Sequence, residues 1–300
     1  MVDAAEHAWT ETHSRIPRWV RSTLWFVAIS GALIACWELY KVVGTGLGIV
    51  RPVRPDNVTM PHVWDMIAEL FQPARRGGEM LLWILLKSSF WTLREAILGF
   101  VFGGVVGFGI GVLFERSRLA ERAFMPYVVA SQTVPILAIA PMVVVWGGQL
   151  AFPQWLSVAV IAAYLTFFPV AINTLRGLRS PNPTAVELMR SYAATPNEIL
   201  WKLRVPAALP YIFTALKVSA TASVIGAIIG ELPAGFGDGL GRNLLNFSQA
   251  FAVQSPKLYG TVIVTSLVGI FFVGVISFAE HRIVGVTGRR VADAEGEAAG

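Results

Sequence analysis

At 300 residues, the chain carries 55% hydrophobic and only 14% charged residues, against about a quarter charged in soluble domains. Together with a mean hydropathy of +0.60, this excludes an ordinary soluble domain and points to a polytopic membrane protein. The net charge of +5 lies in short loops beside apolar runs, the marking of cytoplasmic loops rather than of a nucleic-acid surface, so no nucleic-acid partner is expected.

Residues 1–18 are polar, with Arg15, Arg18 and Arg21 flanking a first apolar run from Trp19 to Val43. The single cysteine, Cys36, excludes an internal disulfide framework and a multi-cysteine metal site. Leu33-Ile34-Ala35-Cys36 has the look of a lipoprotein signal end, but the apolar run continues past it, so a membrane-embedded cysteine is expected. Residues 44–79 are rich in Gly, Pro and Arg. Within them Val63, Trp64, Ile67, Leu70 and Phe71 recur at helical spacing while Asp65 and Glu69 face away, which predicts an amphipathic helix capped by Thr59 and lying along the membrane surface.

The second span falls within residues 80–114, longer than the roughly 20 residues a bilayer needs. Lys87, Arg94 and Glu95 mark its first third as interfacial or paired within protein. Gly99, Gly103, Gly107 and Gly111 share one helix face and invite close approach of another helix. A third span, 123–147, contains Pro126, Pro135 and Pro141; an interrupted helix at membrane depth is tolerated only where it is buried or lines a cavity. Gln132 and Thr133, beside Pro135, are therefore candidate translocation-pathway residues, with a plain interhelical contact as the alternative. Further spans are expected over 155–175, 208–230 and 258–279. They add Asn173, Lys217 and Glu231 as pathway candidates, although Lys217 could snorkel and Glu231 lies close enough to the interface to be solvated. Residues 281–300 read as a polar tail with an unstructured Ala/Gly/Glu end.

Between the fourth and fifth spans, residues 184–206 form a polar, helix-forming island. Asn182 or Ser180 can cap a first helix that has a proline just inside it and ends near Tyr192. Thr195-Pro196-Asn197-Glu198 is a capping box that starts a second helix, and Pro206 and Pro210 mark the return into the membrane. These local features alone leave open a simple re-entry linker. Lys and Arg in residues 1–21, the 115–122 turn, 176–204 and the tail outnumber those in the opposite loops, which places the island and both termini in the cytoplasm.

The spacing Glu187-Leu-Met, three residues, Ala193, nine residues, Leu203-Arg-Val-Pro206 resembles the EAA loop of bacterial ABC importer permeases, whose pattern is Glu-Ala-Ala, three residues, Gly, nine residues, Ile-x-Leu-Pro. Leu188, Met189 and Ala193 depart from it, the last where a glycine would take a left-handed corner at no cost and alanine at about 1 kcal/mol. Pro135–Pro141, Phe167–Gly177, Pro206–Ile212 and Glu231 followed by Gly239-Leu-Gly241 are similar to the nitrate, sulfonate and taurine class of these permeases, so that the likeness covers about residues 60–285.

The resemblance implies an all-α, polytopic fold of six transmembrane helices, the type I importer permease fold. It implies a cytoplasmic segment at 1–18, one transmembrane domain over 19–285 and a cytoplasmic tail at 286–300, in a bacterial inner membrane. Periplasmic segments would fall at about 44–79 and 231–257, and the cytoplasmic loop at about 176–206. A second permease copy in a homodimer, two cytoplasmic ATPase subunits, a periplasmic substrate-binding protein and the surrounding lipid would be the partners. The loop would be a coupling helix in which Glu187 and Arg190 give charged contacts, Tyr192, Ile199 and Trp201 apolar ones, Ala193 the corner and Pro206 the return. ATP would bind the partner, since this chain has neither a Gly-x-x-x-x-Gly-Lys-Ser/Thr loop nor a Leu-Ser-Gly-Gly-Gln signature. No cofactor of its own is expected.

Nothing supports an enzyme. Asp238-Gly-Leu-Gly-Arg242 has the look of an alcohol phosphatidyltransferase start, but no aspartate follows until Asp293, and His7, His13, His62 and His281 lie outside the apolar cores. No catalytic or metal-binding residue is expected. The rival is an ATP-independent secondary transporter or channel. Members of the resembled class carry small anionic or heterocyclic solutes, and the loop from Glu231 to Asn246 looks more like those of importers of vitamin-type heterocycles, such as thiamine precursors or riboflavin, than of sulfonates.

Overall fold

The computed structural model describes residues 18–48, 53–234 and 238–298, and the described residues are almost wholly helical. In chain order the helices are α1 (Arg18–Gly46), α2 (Val63–Leu70), α3 (Leu81–Arg116), α4 (Arg118–Ser131), α5 (Ile136–Gln149), α6 (Gln154–Leu178), α7 (Pro183–Ser191) and α8 (Pro196–Ile199). A π-helical turn at Leu200–Arg204 then leads to α9 (Val205–Ala234), followed by α10 (Leu240–Gln249) and α11 (Phe251–Ala298). Among the described residues, five helical stretches are long and apolar enough to cross a membrane: Thr23–Gly46, Leu81–Arg116, Gln154–Leu178, Pro196–Pro233 and Phe251–Val284. A sixth is broken, because α4 and α5 meet at 98° where a single span was expected over 123–147. Pro135 has no N–H to donate and pushes Val134 out of the helical region, so the rod snaps there rather than at Pro126 or Pro141, which sit inside α4 and α5. Of the expected N-terminal segment, residues 1–17 lie outside the described residues. The expected tail is helical as far as Ala298 rather than unstructured, and residues 299–300 lie outside the described residues.

The chain divides into two compact units, Met1–Ala68 and Glu69–Gly300, where one domain was expected over 19–285. In the first unit the N-terminus of α2 is capped across the sequence. The Glu38 carboxylate of α1 accepts from the Val63 N–H at 2.8 Å and pairs with the His62 ring at 2.6 Å. Thr59, expected to be the cap, instead donates its own N–H to Asp56 at 2.6 Å.

The second unit is built around α6. The glycine face of α3 lies on it so closely that a Cβ at Gly99 would come within 2.4 Å of Ala162 and one at Gly103 within 2.5 Å of the Ala163 carbonyl. α9 approaches the same stretch of α6 through Gly226, where a Cβ would sit 2.7 Å from the Cα of Ala162. Small residues at Ala159, Ala162, Ala163 and Ala171 let both helices come this close to α6, so packing at van der Waals distance replaces the hydrophobic effect that lipid cannot supply. Ala96, Phe100, Val158, Ala220, Val224, Ala227 and Phe272 fill the centre, with Phe100 and Phe272 edge to face at 5.2 Å. Leu70, Leu81, Leu85, Leu240 and Val264 form a second cluster at the α10 end, and Leu178, Leu200 and Ala208 a third beneath the island.

Candidate functional site

The island is two helices turned about one residue. Asn182 caps α7 by accepting the Thr184 N–H at 3.0 Å, and Pro183 occupies the first helical position, where a missing N–H costs nothing. At the other end Ala193 takes φ +57°. The Ala194 N–H reaches the Met189 carbonyl at 3.0 Å and the Ala193 N–H reaches that of Arg190 at 2.9 Å, the paired bonds of a Schellman corner. The left-handed corner therefore falls at Ala193 itself, despite its Cβ. Thr195 then caps α8 in a reciprocal box: the Glu198 N–H meets its hydroxyl at 3.3 Å and the Glu198 carboxylate takes the Thr195 N–H at 2.9 Å. Pro206 does not break the chain again. The π turn, closed by the Val205 N–H on the Leu200 carbonyl, widens the rod where Pro206 can donate nothing, so Pro196 to Pro233 is one continuous helical rod of 38 residues.

Of the expected coupling residues, Glu187, Arg190, Tyr192, Ala193, Trp201 and Pro206 are exposed. Ile199 is not: only 6% of it is accessible, so it anchors α8 from within and is not available to a partner. The correction follows from the capping box, which turns the first residues of α8 outward and leaves Ile199 facing the chain. Leu188, overlooked because the pattern places alanine there, is 56% exposed and stands four residues from Tyr192, itself 80% exposed, on the same helix face. Trp201 lies 6.5 Å from Phe108 of α3.

Beneath the island lies an ion network that no spacing rule indicated. Arg179, just after α6, forks onto Glu121 of α4 at 2.8 and 2.7 Å and reaches Glu115, at the end of α3, at 3.0 Å. Glu115 also pairs with Arg204 of the π turn, and Arg116 donates to Asn197 of α8. A cleft of about 320 Å³ separates this network from α7, with Glu187 and Arg190 on one wall and Arg118, Arg179 and Arg204 on the other. The charged turn 115–122 was visible in the sequence; its pairing across 58 and 64 residues was not.

The pathway candidates sit at four separate places. Gln132, Thr133 and Pro135 mark the α4–α5 bend, exposed, with the Thr133 hydroxyl donating to the Ala130 carbonyl at 2.8 Å. Tyr164 of α6 donates to the Ser131 carbonyl and so ties the bend to the central helix. Asn173 is half-buried and donates within α6 to the Pro169 carbonyl at 2.8 Å. Lys217 does not snorkel free: it pairs with Glu280 of α11 at 2.8 Å. Nor is Glu231 solvated. It is 7% exposed, accepts from the Thr92 hydroxyl at 2.6 Å and from the Gly241 N–H at 2.5 Å, and has Glu95 beside it. Thr92 in turn accepts the Leu240 N–H at 2.8 Å. Gly239-Leu-Gly241 is glycine-bound at both ends because the Glu231 side chain lies against it; a Cβ at Gly239 would come within 2.1 Å of the carboxyl carbon.

Five long apolar helices, a polar two-helix island continuous with one of them and a broken span, all among the described residues, describe a multi-pass membrane protein. Residues 99–292 match the family of binding-protein-dependent transport system inner membrane components, and the chain belongs to that family. It is 35% identical over 195 residues to the formylaminopyrimidine transport permease protein of Halalkalibacterium halodurans, covering 64% of this chain and 74% of that one. It is 27% identical over 219 residues to the riboflavin transport system permease protein of Chloroflexus aurantiacus, covering 73% and 77%. Among solved structures, the inward-facing MetNI methionine ABC transporter shares the fold, with a TM-score of 0.59 at 21% identity over 70% of this chain and 98% of that one. The protein is thus a permease subunit of the ABC importer class.

Proposed function

We propose that two copies of this chain form the translocation pathway of an ATP-driven importer of a small heterocyclic solute, delivered by a periplasmic binding protein and coupled to two separate cytoplasmic ATPase subunits. The island carries this reading. It presents Leu188 and Tyr192 as an exposed apolar pair flanked by the charges of Glu187 and Arg190, the composition of a docking helix, and it is continuous through the π turn with the rod Pro196–Pro233. A movement imposed on α7 would be passed to that rod and, through Arg179, Glu115 and Glu121, to α3 and α4, so that alternating access follows as rigid-body rocking. The excess of basic residues around the island supports a cytoplasmic setting for it and for both termini. The solute class is supported by the names of two relatives, the formylaminopyrimidine and riboflavin permeases, while other relatives are named for aliphatic sulfonates and nitrate.

Glu187→Arg is expected to abolish ATP-dependent uptake into vesicles while leaving the permease folded and in the membrane. Normal uptake and normal co-purification of the ATPase by this variant would refute the coupling role. Uptake that persists without any ATPase would favour an ATP-independent transporter instead.

A further inference from the structure

At the end of α9 opposite the island, α3, α6, α9 and the start of α10 line an open cleft of about 180 Å³. Its lining includes Trp91, Glu95, Trp155, Glu231, Asp238 and Arg242. The carboxylates have different standing. Glu231 is engaged by Thr92 and Gly241 and shares a hydrogen bond with Glu95, whereas the other oxygen of Glu95, Oε2, is buried without a hydrogen-bond partner among the described residues, the residue being 9% exposed. Leaving a buried acceptor unmet beside a second carboxylate is costly, and the cost is relieved by a donor brought from outside. The walls are flat: the Arg94 guanidinium lies 5.6 Å from the Trp91 ring and 5.5 Å from that of Trp155, and so steadies both. Glu95, Glu231 and Asp238 line the cleft with Arg242, and Arg94 stands against the tryptophans, an acceptor-rich setting that suits a solute bearing N–H donors.

We infer that this cleft is a solute subsite of the permease itself, taking a planar heterocycle with an amidine-type N–H edge, of the aminopyrimidine kind, whose amino group donates to Glu95 Oε2 while its ring stacks against Trp91 or Trp155. The inference rests on the importer reading for its biological meaning, but it stands on the cleft for its chemistry. The tryptophans supply shape and Glu95 the acceptor, so the two can be removed separately.

The test is calorimetric titration of the intact permease in detergent with cytosine, an aminopyrimidine, alongside uracil, nitrate and taurine. Cytosine is expected to bind saturably at one site per chain, with uracil, nitrate and taurine at least about tenfold weaker. Glu95→Gln should weaken cytosine at least about tenfold, and Trp155→Leu at least about threefold, with thermal melting confirming that each variant is folded. Should Glu95→Gln fail to fold, Trp155→Leu carries the comparison. No saturable cytosine binding up to about 10 mM, unchanged binding by both folded variants, or preferential binding of nitrate or taurine would overturn the subsite. ATPase co-purification is scored on the same preparations. Its presence without cytosine binding defeats the subsite alone, and cytosine binding without any ATPase defeats the importer reading alone.

Discussion

Ala193 shows how much one residue can decide. Its φ of +57° puts a Cβ where a glycine would be comfortable, and Ala151, at +54° between α5 and α6, repeats the device, with the Phe152 N–H on the Gly147 carbonyl at 2.8 Å. Such corners cost alanine about 1 kcal/mol each, a sum the paired Schellman bonds and the capping box can sustain. Ala193→Gly is therefore expected to raise the stability of the folded permease by up to about 1 kcal/mol, read as a higher melting temperature, with uptake retained. A lower melting temperature would mean that the alanine methyl makes a contact the corner needs. The corner at Ala193 itself was left open by the sequence, while the two helices that flank it were legible, because capping depends on residues three or four apart. The roles of Glu231 and Lys217 were not, because their partners Thr92 and Glu280 are 139 and 63 residues away.

Among the elements, α6 sets the tolerance of the rest. Four glycines of α3 rest on it, and at Gly103 an added Cβ would lie 2.5 Å from the Ala163 carbonyl and 2.8 Å from Thr166 Cβ, both fixed parts of a central helix. Gly103→Val has no flexible neighbour to displace, so a loss of at least about 3 kcal/mol and poor recovery of folded protein are expected. Gly109, with nothing within 4 Å of an added Cβ, is the matched control, and Gly109→Ala should purify and melt as wild type. The four-residue glycine period announced a close contact but could not say with which helix. That choice needed the complementary run of small residues on α6, which as a sequence is only an alanine-rich span.

For the whole molecule, the ion network below the island matters more for transmission than for stability. Arg179 is 42% exposed at its side chain, and exposed pairs contribute only about 0–1 kcal/mol. Its forked bond to Glu121 and its link to Glu115 instead fix α3, α4 and the base of the island in one register. Arg179→Ala should shift the melting temperature little, keep the ATPase associated, and reduce ATP-dependent uptake several-fold; uptake at the wild-type rate would show the network to be incidental.

The amino-acid sequence by itself determined the membrane class, the approximate run of the spans and the two-helix island, because apolar run length and caps are decided by neighbours within one or two turns of helix. Only the tertiary structure decided that the third span is bent at 98°, that Ile199 faces inward while Leu188 faces out, and that Glu231 is buried against Thr92 and Gly241 with Glu95 at its side. These follow from which distant segments pack together. In a helical membrane protein that choice rests on the fit of small residues and on partners for buried charge, neither of which has a period to read along the chain.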